Sequence, residues 1–447
     1  MQSLKKYIDD RYQGNMINFL EGEVQSQQYR INKVLSNKNY LNGVHKILEK
    51  RDGKWKGKEF KTTKLVLQNI KSILNFHDTY LLGKPVSLNG SDSKVKVFNN
   101  VYKKAHYNKL DFDIKRKVNR YGDCYEYVYW DNNSKNIKSK VINPEDGYPV
   151  FAEDTGNYIG FIEYYTTKSN GVSYYNIYYP ERVEEWNNEG GYTHKTGEYI
   201  NISGLPIHYK SYSDFDERFG ESSIKDIKPI IDLLEDLLSK MTDSVYTLSL
   251  NPIAVSNGNT LKNSIDAELV GTVLELDGGD FKFENTQMDY NTIKLLLDTL
   301  NQQLSVVASM PSTALGNSNI ANVSEVSLSM LYNLAEARGM LDEKVMKEGF
   351  EERWEKIESI LSDQGITFNI DEYIDCEFNY SKPINKQELI QNLEKLRNMN
   401  AISIKSIIEK SDIVTDVTGE IERLKEEQSK VTNENFINND CIVDNDE

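Results

Sequence analysis

The side chains able to do chemistry are few and scattered in this 447-residue sequence. Its five histidines stand singly, and its three cysteines, Cys124, Cys376 and Cys441, form no CxxC pair, so neither a thiolate metal site nor a disulfide framework follows from them. A histidine without a partner in sequence, such as His77, belongs on a helix surface or in a core hydrogen bond. No GxxxxGK[ST] loop, GxGxxG turn, HExxH helix or GxSxG elbow occurs, which removes the common routes to nucleotide, dinucleotide, zinc and acyl chemistry. The carboxylate pairs Asp111 with Asp113 and Asp214 with Asp216 can hold a cation. With 69 acidic residues in the chain, however, such pairs are expected in loops. Lys50, Arg51, Lys54, Lys56, Lys58, Lys61 and Lys64 surround Trp55 and Phe60, a mixture that can touch phosphate or a partner but is better read as a solvated hairpin edge protected by lysines. No nucleophile, metal site or cofactor site emerges, and the chain reads as a non-enzyme.

Bulk properties narrow the classes further. A formal net charge of −16 and a pI of about 5.0 oppose any grip on nucleic acid or anionic membrane by bulk electrostatics. The length is that of roughly three domains, and 38% apolar with 11% aromatic residues is enough to build cores. The N-terminal residues contain no apolar signal region, and no stretch approaches the roughly 18 apolar residues of a membrane span. A reducing cytoplasm without membrane attachment is therefore expected.

The elements that must position any site centre on residues 220–316. Ile224, Ile227, Ile230, Ile231, Leu234, Leu237, Leu238, Met241 and Val245 recur at three- and four-residue steps, as do Ile293, Leu296, Leu297, Leu300, Leu304 and Val307, which predicts two amphipathic helices. Ser223 and Asp226 suit a capping box, and Pro229 either kinks the first helix or starts a second. Between the helices lie predicted strands at 251–255, 272–276 and 281–283, a helical turn at 261–270, and Gly278-Gly-Asp-Phe281 as a tight turn. After them, Pro311-Ser-Thr-Ala-Leu-Gly316 opens a loop with no charged side chain.

Around this centre, residues 1–50 read as a peripheral helical arm. A periodic helix follows from Leu65 to Gly83, where the glycine is expected to take positive φ. Another helix is expected over 97–120, strands over 121–129, 158–165, 174–179 and 192–208, and a helix of roughly 55 Å over 325–361 with a stripe of Val326, Met330, Leu334, Leu341, Val345, Trp354, Ile357 and Leu361. A strand at 366–380 and helices at 386–399 and 403–410 precede a charged helix ending near Glu427 and a polar tail expected to be disordered.

Four stretches together resemble the portal proteins of tailed phages, in particular the siphophage portal family. They are Asp78-Thr-Tyr-Leu-Leu-Gly-Lys-Pro-Val86; Lys109-Leu-Asp-Phe112 through Tyr121-Gly-Asp-Cys-Tyr-Glu-Tyr-Val-Tyr129; Phe219-Gly-Glu-Ser-Ser-Ile-Lys-Asp226 through Asn251-Pro252; and Pro311-Ser-Thr-Ala-Leu-Gly316. Their order and spacing carry the likeness. It implies an α+β portal-protein fold with a helical stem, a small α/β clip, a mixed α/β wing and a helical crown. Wing residues would be 1–219, stem helices 220–249 and 287–310, the clip 250–286, a tunnel loop 311–324, the long wing helix and strand 325–384, the crown 385–428 and the tail 429–447.

The resemblance further implies a homo-oligomeric ring of about twelve subunits around a channel for double-stranded viral DNA. The ring would be assembled in the host cytoplasm and sit at the capsid vertex of the virion, among major capsid and scaffolding proteins. The clip, with Asn257, Gly258, Asn259, Lys262, Asp266, Glu268, Asp277 and Asp280, would meet the terminase large subunit and later the head-completion adaptor. The tunnel loop would comprise Pro311, Ser312, Thr313, Ala314, Leu315, Gly316, Asn317, Ser318, Asn319, Ile320, Ala321, Asn322 and Val323. No cofactor, catalytic residue or metal is implied. Another head-to-tail connector ring, or a nucleic-acid-processing enzyme with a metal or nucleotide site, are the competing readings.

Counterion release requires lysine or arginine against phosphate, and residues 311–323 contain neither. The assembled ring is thus expected to bind duplex DNA weakly at physiological salt; tight binding with a steep salt slope contradicts the conduit. Substituting Asn317 and Asn319 by lysine should leave ring assembly intact and impair DNA packaging. Unchanged packaging would separate the loop from the DNA path.

Overall fold

The computed structural model describes residues 2–55, 58–245, 253–257, 280–284, 290–311, 325–381, 386–411, 419–421, 423–425 and 427. They fall into two compact units, Met1–Asn317 with Asn333–Ser381, and Ser318–Tyr332 with Lys382–Glu447. In chain order the elements are α1 (Leu4–Tyr12), α2 (Met16–Ser26), α3 (Gln28–Leu41), β1 (Gly53–Trp55), β2 (Lys58–Phe60), α4 (Asn69–Leu82), β3 (Ser87–Gly90), α5 (Asp92–Ala105), α6 (Tyr107–Tyr121), β4 (Asp123–Asp131), β5 (Asn136–Ile142) and β6 (Gly147–Phe151). There follow β7 (Tyr158–Thr166), β8 (Ser173–Tyr178), β9 (Arg182–Asn187), β10 (His194–Ile200), β11 (Ile207–Lys210), α7 (Ile224–Ser244), β12 (Ile253–Asn257), β13 (Asp280–Glu284), α8 (Tyr290–Val307), α9 (Glu325–Asp363), β14 (Ile374–Glu377), α10 (Lys386–Asn398) and α11 (Ile404–Ser411). This is the mixed α+β class that the sequence predicts.

The strand-rich part forms two antiparallel sheets, one ordered β10-β9-β8-β7-β6 and one β11-β4-β5. Strand alternation gives the larger sheet two different faces. One buries Tyr148, Val150, Ile162, Tyr175 and Ile177 under α1 and α2, whose Leu4, Tyr7, Ile8, Phe19 and Leu20 complete that core. The first fifty residues are therefore not a peripheral arm. Their weak apolar periodicity misleads because Tyr7 and Tyr12 do part of the burying, and both hydroxyls donate to Glu23, at 2.6 and 2.7 Å. Asn15 Oδ1 caps α2 by accepting from the Ile17 and Asn18 N–H groups.

Several expectations shift in detail. The helix expected over 97–120 is two helices, broken where His106 takes φ 57°. Gly83 stops α4 with φ −65°, in the right-handed region, so the stop does not use positive φ. The strand expected over 366–380 shrinks to β14, which pairs with β3. Strands β5, β6 and β9 were not foreseen, whereas the basic segment does fold as the β1–β2 hairpin. Ser223 makes no side-chain cap; Ser222 Oγ instead accepts from the Ile224 N–H, and α7 runs unbroken through Pro229. The charged helix near Glu427 and the polar tail lie largely or wholly outside the described residues.

Helix α9 spans 39 residues, the longest element described. The C-terminal half of the expected stripe is buried, at Val345, Trp354, Ile357 and Leu361, whereas Met330, Leu334 and Leu341 are exposed. With Met346, Phe350 and Ile360, these buried residues pack with α5, α6 and the three-stranded sheet. In the midst of this apolar core lies Arg353, fully buried. Its Nε donates to both carboxylate oxygens of Glu126, at 3.0 and 2.9 Å, and its Nη1 to Asp111 Oδ1 at 2.6 Å. The guanidinium also faces the Tyr107 and Phe350 rings, and the Tyr209 hydroxyl donates to Glu126 at 2.7 Å. Asp111 is thus an ion-pair partner in the core and not half of a cation-holding pair with Asp113, which pairs with Lys117.

Two carboxylates share one guanidinium here, and Asp111 Oδ2 has no hydrogen-bond partner among the described residues. Burial lifts the Asp111 carboxyl to about 6 against the opposing pull of Arg353. The folded state consequently holds a proton that the unfolded chain releases above its ordinary value of 3.8. Stability from this group is full at low pH and is lost as pH rises toward 6. Asp111→Asn should remove that pH dependence, worth at most about 3 kcal/mol, as read by denaturation between pH 4 and 7. Arg353→Met, which strands both carboxylates, should cost about 3–5 kcal/mol, with partial rescue by Asp111→Asn.

Candidate channel and assembly site

Three of the four segments that carry the family resemblance meet at one junction. Helix α6 ends at Gly122, with φ 92°, and the chain leaves directly into β4. The backbone of Gly220 crosses it so closely that a Cβ on Gly122 would lie 2.5 Å from the Gly220 carbonyl oxygen, and one on Gly220 would overlap the Gly122 carbonyl. Asp123 Oδ1 fastens the crossing by accepting from the Gly220 N–H at 2.9 Å and contacting His208 Nε2 at 2.8 Å.

Beside it runs a buried polar chain. Asp78 accepts from Arg120 Nη1 at 2.5 Å and Asn119 Nδ2 at 3.0 Å; the Ser223 hydroxyl donates to Asn119 Oδ1 at 2.7 Å and accepts from Arg338 Nη2 at 2.7 Å. Helices α4, α6, α7 and α9 are thereby tied at the point where α7 begins.

Helix α7 is held along its length by a second device. Thr63, Leu65 and Leu67 donate alternate backbone N–H groups to Asp243 Oδ1, Ser239 Oγ and Glu235 Oε1, at 2.9, 3.0 and 2.7 Å. The spacings match because two extended residues advance about 6.6 Å and four helical residues about 6.0 Å. Glu235, fully buried, also meets His45 Nδ1 at 2.6 Å, while His45 Nε2 faces the Tyr40 carbonyl at 3.0 Å. The sequence reading missed these residues. The signal was present in Glu235, Ser239 and Asp243, three acceptors at four-residue steps.

The apolar stripe of α7 buries Ile224, Ile227, Ile231 and Leu234 against Tyr40, Leu41, Ile70, Ile73 and Leu74, and against Leu304, Ala308 and Met310 at the far end of α8. The two helices therefore do pack on each other. Their pairing leaves much uncovered: within α8 only Leu304 is buried, while Tyr290, Leu295, Leu296, Val306 and Val307 are exposed, as are Leu233 and Val245 of α7.

Beyond α7, β12 and β13 pair antiparallel and place Asn257 opposite Asp280. Those two are the clip residues whose backbone is described; Gly258, Asn259, Lys262, Asp266, Glu268 and Asp277 lie outside the described residues, with the strand expected at 272–276, the helical turn at 261–270 and the first half of the turn expected at 278–281, whose Asp280 and Phe281 begin β13. Pro311 is buried at the exit from α8. There His77 Nε2 donates to the Ala308 carbonyl at 2.7 Å, and burial holds this imidazole below its ordinary value against the opposing pull of that bond. His77 is thus the core hydrogen-bonding histidine expected. Residues Ser312, Thr313, Ala314, Leu315, Gly316, Asn317, Ser318, Asn319, Ile320, Ala321, Asn322 and Val323 lie outside the described residues.

Comparison with known proteins follows this geometry. Among solved structures the chain is similar to one in the neck of an empty GTA particle computed with C6 symmetry, at 12% identity over 77% of this chain and 90% of that one, with a TM-score of 0.46. It is also similar to one in the virion of a native gene transfer agent particle, at 12% identity over 77% and 89% with a TM-score of 0.43. A third likeness is to the neck of a native GTA particle computed with C12 symmetry, at 11% identity over 76% and 87% with a TM-score of 0.44. No curated protein matches. The profile of the family described as phage portal protein, SPP1 Gp6-like, matches residues 23–434, nearly the whole sequence, and the chain belongs to that family.

Proposed function

We propose that copies of this chain stand side by side in a closed ring, with α7 and α8 as the stem and with neighbouring subunits covering the apolar side chains that one chain leaves bare. Membership of the portal family supplies the role, a channel at the capsid vertex for packaging and ejection of viral DNA. The observation that carries the ring is the exposure of Leu295 and Leu296, 68% and 44%, on a helix that Leu304 anchors to the core. Apolar residues exposed along a packed helix mark a surface awaiting a partner, and a heterologous contact repeated by rotation closes into a ring.

In this reading residues 250–286 project as the clip toward the terminase large subunit and then the head-completion adaptor. Residues 311–324 line the narrowest part of the channel, and residues 385–428 form the crown. The capsid and scaffolding proteins meet the ring's outer side. Among the described residues no helix is long and apolar enough to cross a membrane.

Replacing Leu295 and Leu296 together by glutamate tests the ring. The double variant should keep its melting temperature as a single chain, since both side chains are solvent-exposed. It should lose annular particles in negative stain and sediment as monomer or small oligomers. Rings formed at the unmodified protein's level would exclude α8 from the contact.

A further inference from the structure

The two sheets of the larger unit face each other over Tyr125, Tyr127, Ile142, Phe161, Tyr178 and Val183. This core opens at one end into a cavity of about 510 Å³. Tyr127 and Tyr178 contribute to it as buried residues, and Tyr129, Tyr165, Tyr174 and Tyr199 line it from β4, β7, β8 and β10. Strand register gathers them: Tyr165 opposes Tyr174, Asn176 opposes Glu185, and Glu185 opposes Gly197, so their side chains emerge on one face. Burial keeps the Tyr165 and Tyr199 phenols above their ordinary value, with the Glu185 charge among the contributors, so both present neutral rings.

The charges are unequally satisfied. Lys140 pairs with buried Glu163 at 2.6 Å, and Glu163 also accepts from Asn176 and Tyr178. The Glu185 carboxylate has no hydrogen-bond or ion-pair partner among the described residues, although its charge acts on the Tyr165 and Tyr199 rings. Gly197 leaves that carboxylate uncovered, since a Cβ there would stand 2.9 Å from Glu185 Oε2. The adjoining strand β10 is a free edge of its sheet and exposes Ile200.

We propose that this tyrosine basin receives an arginine side chain carried on an extended segment of a partner protein laid along the β10 edge. Tyrosine faces attract cations, and a planar guanidinium can stack on them while donating to a carboxylate, which an ammonium does less well. An extended partner segment supplies its own main-chain hydrogen bonds to the edge strand. The net charge of −16 favours a basic partner over an acidic one.

The full-length protein is titrated by calorimetry with an acetylated, amidated Thr-Val-Arg-Val-Thr peptide and with its lysine and citrulline counterparts. The arginine peptide should bind about fivefold tighter than the lysine peptide and at least about tenfold tighter than the citrulline peptide. Glu185→Gln, at an exposed position, should weaken arginine-peptide binding about tenfold without altering the melting temperature, and Gly197→Val should weaken it by closing the mouth. Tyr192→Ala, an exposed tyrosine outside the cavity, should leave binding unchanged. Equal binding of the citrulline peptide, unaltered binding to Glu185→Gln, or no binding of any peptide overturns the proposal. So does a change of oligomeric size on Glu185→Gln, which would make a second copy of this chain the occupant.

Discussion

Everything that gives this molecule its direction passes through the crossing of Gly122 and Gly220. Two backbones in contact, with no room for a Cβ on either, fix the angle at which the chain leaves the sheet region and begins α7. A glycine pair can do this because its carbonyls and amides approach without side chains between them. Asp123 then converts proximity into a defined register by bonding the Gly220 amide. Without that register, α7 would have no fixed starting direction, and neither would the segments that follow it.

The rest of the larger unit conserves that direction with buried polar contacts. Apolar packing holds elements together but tolerates rotation and sliding, whereas a hydrogen bond fails when misaligned by a fraction of its length. Asp78 with Arg120 and Asn119, and Ser223 with Arg338, tie four helices at one level. The extended strap at Thr63, Leu65 and Leu67 repeats the contact over two further turns of α7. Arg353 does the same for α9, bonded to Asp111 and Glu126 within a core of aromatic rings. Buried charges of this kind are costly; what they supply here is α7 and the long α9 held in one rotational setting.

A subunit built this way separates rigid from adhesive surface. One side of α7 and α8 is spent on the unit's own core, while Leu233, Leu295, Leu296 and Val306 remain outside. Within one chain they stay uncovered, which suits the proposed ring in which neighbouring subunits cover them. The uncharged composition of residues 311–323 suits the channel lining proposed for them, because a wall that lets a polyanion pass gains nothing from cations that would hold it.

The sequence alone determined the amphipathic helices α7 and α8, the strand-rich region before them, the glycine turn before β4 and the acidic, motif-poor character of the chain. These are local or compositional properties: a three-to-four periodicity, a strand alternation and a net charge are present before any folding. The family likeness was legible for the same reason, as ordered short motifs. What only the tertiary structure decided are the partners. Nothing in Tyr7 or Tyr12 announced that α1 would cap a sheet formed by residues near Tyr175. Nothing in Asp111 announced an arginine 242 positions away. The strap on α7 was written as three acceptors at four-residue steps, but its donors are backbone amides, which no side-chain pattern reveals. The stripe of α9 was legible from Val345 to Leu361 but not before it, where Met330, Leu334 and Leu341 stay exposed, because how far along the helix burial extends depends on which surfaces arrive from elsewhere in the chain.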